Sequence, residues 1–160
     1  MRILAILQNT WAKDPDRVHE LLVRNQDRRH EVVARLLFAS GCMTGRRILT
    51  VFGDMLKEHD WTFENASTIV TGNSGGRPPH NTHHICGVIN RYRPEVVIAF
   101  GSSAQRAIQE IRAAKKGAAF ELPPVVDCVH PALQKPGWLA QMVMARAKLE
   151  EVLKPQKQLA

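Results

Sequence analysis

The sequence predicts an α/β domain, a three-layer α/β/α sandwich with a central four-stranded, mostly parallel sheet. Short apolar runs of strand length alternate with longer segments whose apolar residues recur at helical spacing. Polar or glycine-rich residues follow these runs, which is typical of parallel strands that carry ligand-binding loops at their carboxyl ends. A chain of 160 residues can bury a core without disulfides. We expect one domain over residues 1–154 and a flexible tail over residues 155–160.

Four short runs that are rich in apolar residues predict the strands. These runs are residues 3–7, 67–71, 96–100 and 124–129. Glycine and proline dominate residues 72–81, directly after the second run, so this segment is predicted to be a loop.

Helices are predicted where apolar residues recur on one face. The spacing predicts two helices or one broken helix over residues 16–37, and single helices over residues 46–58, 83–91, 104–115 and 138–153. Strands that alternate with helices in this way favour a sheet covered on both faces.

The composition excludes several classes of protein. A content of 44% apolar and 23% charged residues fits neither a disordered nor a fibrous chain. The cysteines, Cys42, Cys86 and Cys128, are odd in number and far apart, which favours a reducing compartment. The first apolar run is too short for a signal peptide or a membrane span. We therefore expect a cytoplasmic protein, nucleoid-associated if prokaryotic, that does not bind membranes.

The charge balance favours an anionic partner. Lysine and arginine number 22 against 15 acidic residues, which gives a formal net charge of +7. A positive field attracts polyphosphates, although solvated surface lysines would give the same balance.

The candidate site consists of the polar residues at the predicted strand ends, because the carboxyl ends of parallel strands share one edge of the sheet. They are Gln8 and Asn9 after the first strand, Asn73 after the second, Gly101, Ser102 and Ser103 after the third, and His130 after the fourth.

The motifs at these strand ends, taken in chain order, resemble those of the uracil-DNA glycosylase superfamily over nearly the whole chain. Leu7-Gln8-Asn9-Thr10-Trp11 is similar to the superfamily motifs G-Q-D-P-Y and G-I-N-P-G, and Val129-His130-Pro131-Ala132 matches its H-P-S or H-P-A motif. Residues 69–81 resemble the segment I-T-N-x-x-K-C-R-P-P-G-N of the iron-sulfur-containing branch, with Arg77-Pro78-Pro79 and Asn81 in register. Residues 94–104 resemble the strand and turn P-x-v-v-i-a-l-G-x-x-A.

The chain departs from the superfamily at several motif positions. Leu7 and Thr10 stand where the first motif has glycine and proline, and Trp11 stands where the known branches have tyrosine or glycine. Only Cys86 matches one of the four cluster cysteines, and Gly76 stands where another is expected. We therefore expect no cluster, no metal and no cofactor.

The resemblance implies a monofunctional uracil-DNA glycosylase, a DNA repair enzyme that flips uracil out of DNA and hydrolyses its N-glycosidic bond with water. Asn9 and His130 are the implied catalytic residues. Asn9 orients the water, although an amide, unlike an aspartate, cannot take its proton. A neutral His130 donates a hydrogen bond to uracil O2 and stabilises the departing anion.

The resemblance also implies residues that bind the base and the DNA. For uracil, Gln8 offers its backbone N–H, Trp11 excludes the thymine methyl group, Phe38 stacks on the flipped base, and Asn73 reads O4 and N3–H. The implied DNA contacts are Arg77, Ser102, Ser103, Leu133, Gln134 and Lys135, with Leu133 or Gln134 as the wedge that enters the duplex. Arg46 and Arg47 are further candidate phosphate contacts. The expected partner is single- or double-stranded DNA containing uracil, bound by a monomer.

Other interpretations stay open at this point. The altered first motif also fits a catalytically weak or inactive DNA-binding protein of the same fold, or a glycosylase for mismatched thymine, hypoxanthine or a modified uracil. Turn, capping and packing roles are the structural alternatives for each candidate residue. The residues His80, His83, His84 and Cys86 are the rival constellation for a metal, but their spacing is not that of a zinc site.

Overall fold

Four parallel strands form the centre of the molecule. The computed structural model describes residues 1–73, 75–115, 117 and 120–154. The strands are β1 (Arg2–Leu7), β2 (Asp60–Asn65), β3 (Val96–Phe100) and β4 (Val125–Cys128). They pair in the order β2-β1-β3-β4, and every pairing is parallel. The predicted α/β class and four-stranded sheet are therefore confirmed.

Seven α-helices surround the sheet within the part of the chain that the structure describes. They are α1 (Pro15–Arg24), α2 (Arg29–Ala39), α3 (Met43–Phe52), α4 (Met55–Glu58), α5 (Thr82–Tyr92), α6 (Gly101–Ala114) and α7 (Trp138–Leu153), with a 3-10 turn (Gln26–Arg28) before α2. None of the described helices is long and apolar enough to cross a membrane.

The strand alternation divides the core between the two faces of the sheet. Ile3, Ala5 and Leu7 of β1 pack in a cluster with apolar residues of α1, α2, α3 and α7. Leu4 and Ile6 pack on the opposite face with residues of α5 and α6. Because β1 and β3 are the inner strands and are covered on both faces, their sequences are continuously apolar.

The second strand lies earlier in the chain than the sequence predicts. Residues 67–71 form no strand, apart from an isolated bridge at Thr71, and β2 is instead Asp60–Asn65. Its alternating sequence, with the buried Phe63, is that of a half-buried edge strand. The side chain of Glu64 is buried as well, and its partners Arg29 and His84 come from remote parts of the sequence.

The other predicted elements are placed correctly, with small changes at their ends. Residues 16–37 form two helices separated at Asn25, which ends α1 with a backbone bond to Leu21. The helix expected over residues 46–58 is in fact two, α3 and the short α4. The tail expected over residues 155–160 lies outside the described residues.

Candidate functional site

Polar residues meet where the four strands end. Asn9 follows β1, Asn65 is the last residue of β2, Gly101 directly follows β3, and His130 lies two residues beyond β4. All four strands run in the same direction, so these residues lie at one edge of the sheet. In the strand order, β3 lies between β1 and β4, so the strands that precede Asn9 and His130 are two strand spacings of about 4.8 Å apart.

The imidazole of His130 is held in one tautomer. Its Nδ1 accepts a hydrogen bond from the backbone N–H of Ala132 over 3.1 Å. A neutral imidazole that accepts at Nδ1 carries its proton on Nε2. Burial lowers the pKa of His130, which favours this neutral form. His130 therefore presents an uncharged N–H donor.

Gly101 supports the ring of His130. Its φ of +85° lies in the region that favours glycine. A Cβ atom at this position would lie 2.9 Å from Cβ and 3.1 Å from Cδ2 of His130. The glycine that begins α6 thus allows the His130 ring to pack directly against the backbone.

Two hydrogen bonds from its amide nitrogen orient the side chain of Asn9. Nδ2 donates to the carbonyl oxygen of Thr10 over 3.0 Å and to Oγ1 of Thr71 over 2.9 Å. The Thr71 hydroxyl in turn donates to the carbonyl oxygen of Asn73. Since both N–H groups of Asn9 have protein acceptors, Oδ1 is the atom with which it can accept a hydrogen bond from a water.

The structure adds Asn65, which the sequence analysis missed. It is only 2% exposed, and its Nδ2 donates to Oγ1 of Thr10 over 2.8 Å. Among the described residues, the other N–H and the carbonyl oxygen of this amide have no further hydrogen-bond partner, so both can serve a ligand. The alternating aromatic and polar residues of β2 could have located it, but the apolar pair Ile69 and Val70 was a stronger strand signal.

A buried cluster of charged groups fixes the end of β2. Oε1 of Glu64 accepts hydrogen bonds from the backbone N–H of Asn65 over 3.0 Å and from Nε of Arg29 over 3.1 Å. Nε2 of His84 lies 3.5 Å from the same oxygen. Burial raises the pKa of Glu64, but His84 and Arg29 outweigh it and hold the pKa below its ordinary value. Glu64 is therefore a charged anchor for the backbone of Asn65.

The loop after β2 lies against the end of β1. Trp11 and Thr71 form an isolated parallel bridge, and Nε2 of Gln8 donates to the carbonyl oxygen of Gly76 over 3.2 Å. The Trp11 side chain is left 48% exposed. Of the residues predicted to bind the base, Gln8 and Trp11 thus lie at the strand ends.

Phe38 and Asn73, the other two residues predicted to bind the base, do not lie at strand ends. Phe38 lies in α2, half-buried, with its ring edge-on to Phe63 of β2 at 5.0 Å between centroids. This contact gives it a core-packing role. Asn73 is exposed in the loop and is not the end of a strand, because the strand on which its assignment depended lies at Asp60–Asn65.

The predicted DNA contacts lie in loops and at one helix start. Ser102 and Ser103 are in the first turn of α6, with Ser102 exposed. Among the others, Arg77, Gln134 and Lys135 are exposed, and Leu133 is half-buried.

The histidines proposed as alternative metal ligands contact different partners. Nε2 of His80 lies 2.8 Å from Oε2 of Glu110 on α6, whereas His84 turns towards Glu64. Within the described ranges, no three histidine, cysteine or acidic side chains are grouped as metal ligands would be.

No family model matches this chain, and a search of curated proteins finds none that is similar in sequence. The interpretation of the site therefore depends on the chemistry of its residues. Together they provide a neutral N–H donor and two oriented amides, on a chain with a net charge of +7.

Proposed function

We propose that this protein is a monofunctional DNA glycosylase that hydrolyses the N-glycosidic bond of uracil in DNA, with a uracil-DNA glycosylase-like fold. The observation that carries the proposal is the fixed tautomer of His130, whose neutral Nε2–H lies at the same sheet edge as the amides of Asn9 and Asn65. The order of the resembling motifs along the chain supports the same conclusion.

His130 acts on the leaving group. As the bond between C1′ and N1 breaks, its electron pair passes to the base, and negative charge develops on uracil O2. A fixed N–H donor stabilises that charge, and a neutral imidazole does so without the cost of burying a cation. The Nδ1 bond to Ala132 keeps the donor on Nε2 throughout.

Asn9 acts on the attacking side. Its Oδ1 accepts a hydrogen bond from a water, whose oxygen forms the new bond to C1′ as uracil leaves. The released proton passes to solvent, because a carboxamide is not basic enough to keep it. This enzyme is therefore expected to be slower than a relative whose own loop is built to hold an aspartate at the corresponding position.

Asn65 takes the role in uracil recognition that the sequence analysis gives to Asn73. Its free N–H can donate to O4, and its oxygen can accept from N3–H, a pattern that cytosine does not offer. Burial and the bond to Thr10 fix the amide before the base arrives. Trp11 is proposed to lie near C5, where its bulk excludes the thymine methyl group.

The DNA backbone is proposed to bind around this edge of the sheet. Ser102 at the start of α6 and the exposed Arg77 and Lys135 suit phosphate oxygens. Leu133 follows His130 closely and is proposed as the wedge that replaces the flipped base.

Replacing His130 with asparagine tests this function. In His130→Asn, Oδ1 takes the place of Nδ1 as acceptor for Ala132, but the Nε2 donor is lost. We expect uracil release from an oligonucleotide, detected by alkali cleavage, to slow by about 10²–10³. Affinity for the same DNA should stay within about twofold, because phosphate contacts supply most of the binding energy. An unchanged rate in this variant would overturn the proposal.

The bonding of Asn9 favours a second candidate, a protein of this fold that binds a base in DNA without cleaving it. Both N–H groups of Asn9 serve the loop that contains Thr71, so the residue has a structural role independent of catalysis. Specific retention of uracil-containing DNA, with no cleavage at high protein excess, would support this candidate over the enzyme.

A further inference from the structure

The turn after β4 is held by an arginine from a helix that is remote in sequence. Nη1 of Arg47, in α3, lies 2.8 Å from the carbonyl oxygen of Pro131 and 2.7 Å from that of Leu133. The guanidinium carbon lies 3.9 Å from the centre of the Trp138 ring, where α7 begins. Charge-assisted hydrogen bonds and a cation–π contact thus tie together α3, the turn and α7.

This turn contains two of the groups assigned above to the reaction. His130 begins it and Leu133 ends it, and the backbone N–H of Leu133 donates to the carbonyl oxygen of His130 over 2.9 Å. Residues 133–137 form neither helix nor strand, so the turn receives no support from a regular ladder on that side. Arg47 accordingly supplies a hydrogen-bonded connection between the backbone of Leu133 and α3.

We propose that Arg47 is a positioning residue that holds the turn of residues 130–133 so that Leu133 can enter the DNA duplex. This inference rests on the function proposed above. It replaces the expectation that Arg47 binds phosphate, because two backbone oxygens already occupy Nη1 and the indole of Trp138 covers one face of the guanidinium.

Arg47 should matter for duplex DNA far more than for single strands. A wedge is needed where the base must leave a paired stack, and it gains little on an unpaired strand. In Arg47→Met, we expect single-turnover release from duplex DNA to fall by about tenfold or more, while release from the single strand stays within about threefold. Activity on the single strand also reports that the variant is folded.

Three further variants define the effect. Arg47→Lys keeps the charge but cannot bond two carbonyls and stack on an indole, so it should resemble Arg47→Met, and it carries the test if the methionine variant does not fold. Arg112→Met removes an exposed charge at the far end of α6 and should leave both rates within about twofold. Leu133→Ala should share the duplex defect, and adding Arg47→Met to it should cause no further loss.

The outcomes separate this inference from the function on which it rests. Equal losses on the two substrates, or additive losses in the double variant, would overturn the positioning role and leave the glycosylase proposal intact. The slope of DNA affinity against salt concentration gives a second test. If the slope in Arg47→Met is smaller by the amount expected for about one phosphate contact, Arg47 binds phosphate directly and the positioning role is overturned. If the unchanged protein releases no uracil from either substrate, the proposed function fails and the inference fails with it.

Discussion

At Gly101, the backbone conformation determines how closely the His130 side chain can pack. Gly101→Ala places a Cβ on a residue with a positive φ, which lowers the free energy of unfolding by about 1–2 kcal/mol. The added atom also displaces the His130 side chain, whose own Cβ would lie 2.9 Å away. Gly117→Ala is the matched control, because its φ of +86° is nearly the same, but no atom of the described residues lies within 4 Å of the added Cβ. Urea unfolding and single-turnover assays should show a loss of stability in both variants and a loss of activity in Gly101→Ala alone. Equal activity in the two would mean that His130 does not depend on this contact.

At Asn9, replacement by the aspartate of related motifs should not improve the enzyme. A carboxylate cannot donate to the carbonyl oxygen of Thr10, and the Thr71 hydroxyl already donates to Asn73. We expect Asn9→Asp to lower the free energy of unfolding by about 1–3 kcal/mol at neutral pH, without raising the rate of uracil release. Thermal melting and a single-turnover assay measure both quantities, and a faster, equally stable variant would show that the amide is not structurally required.

The lowered pKa of His130 gives a pH dependence with a definite sign. The unfolded chain, with an ordinary histidine pKa of 6.5, takes up a proton before the folded one does. His130 therefore destabilises the fold as the pH drops below about 6.5, and its contribution is constant above that value. Urea midpoints of the wild type should fall more steeply between pH 6.5 and 5 than those of His130→Asn. Parallel pH profiles for the two proteins would contradict this sign.

The sequence locates two of the strand-end side chains and misplaces a third. Asn9 follows β1, whose residues 3–7 are continuously apolar because both faces of the strand are buried, and His130 follows β4, which ends at a distinct motif. Asn65 was missed because β2 is an edge strand that contains Glu64, and a buried carboxylate is interpretable only once Arg29 and His84 are known to meet it. The bond between Arg29 and Glu64 joins residues 35 apart in sequence, and no local sequence pattern reveals it.

Among the secondary-structure elements, β2 depends at its end on the ion pair between Arg29 and Glu64. Their side chains are only 10% and 4% exposed, so Arg29→Met leaves a buried carboxylate without its main countercharge. We expect a loss of about 3–5 kcal/mol in denaturant unfolding. Arg24→Met is the control, because its ion pair with Glu20 is 74% and 58% exposed and should contribute less than about 0.5 kcal/mol. Similar losses in the two variants would mean that burial does not set the strength of the pair.

For the molecule as a whole, the net charge of +7 should be expressed as salt-dependent binding of DNA. The logarithm of the association constant should fall with the logarithm of salt concentration with a slope of about −0.9 for each phosphate contacted on duplex DNA. Fluorescence anisotropy with a duplex of fixed length measures this slope. Binding that does not change with salt would mean that the positive charge lies away from the DNA.

The proposed hydrolysis of uracil from DNA is tested by the release of free base from a single-stranded oligonucleotide that contains one uracil. The small-molecule fraction is analysed by mass spectrometry under single-turnover conditions with protein in excess. We expect free uracil from this oligonucleotide, and no free base from the same sequence with cytosine or thymine at that position. Intact DNA after prolonged incubation with the folded protein, or equal release of all three bases, would contradict it.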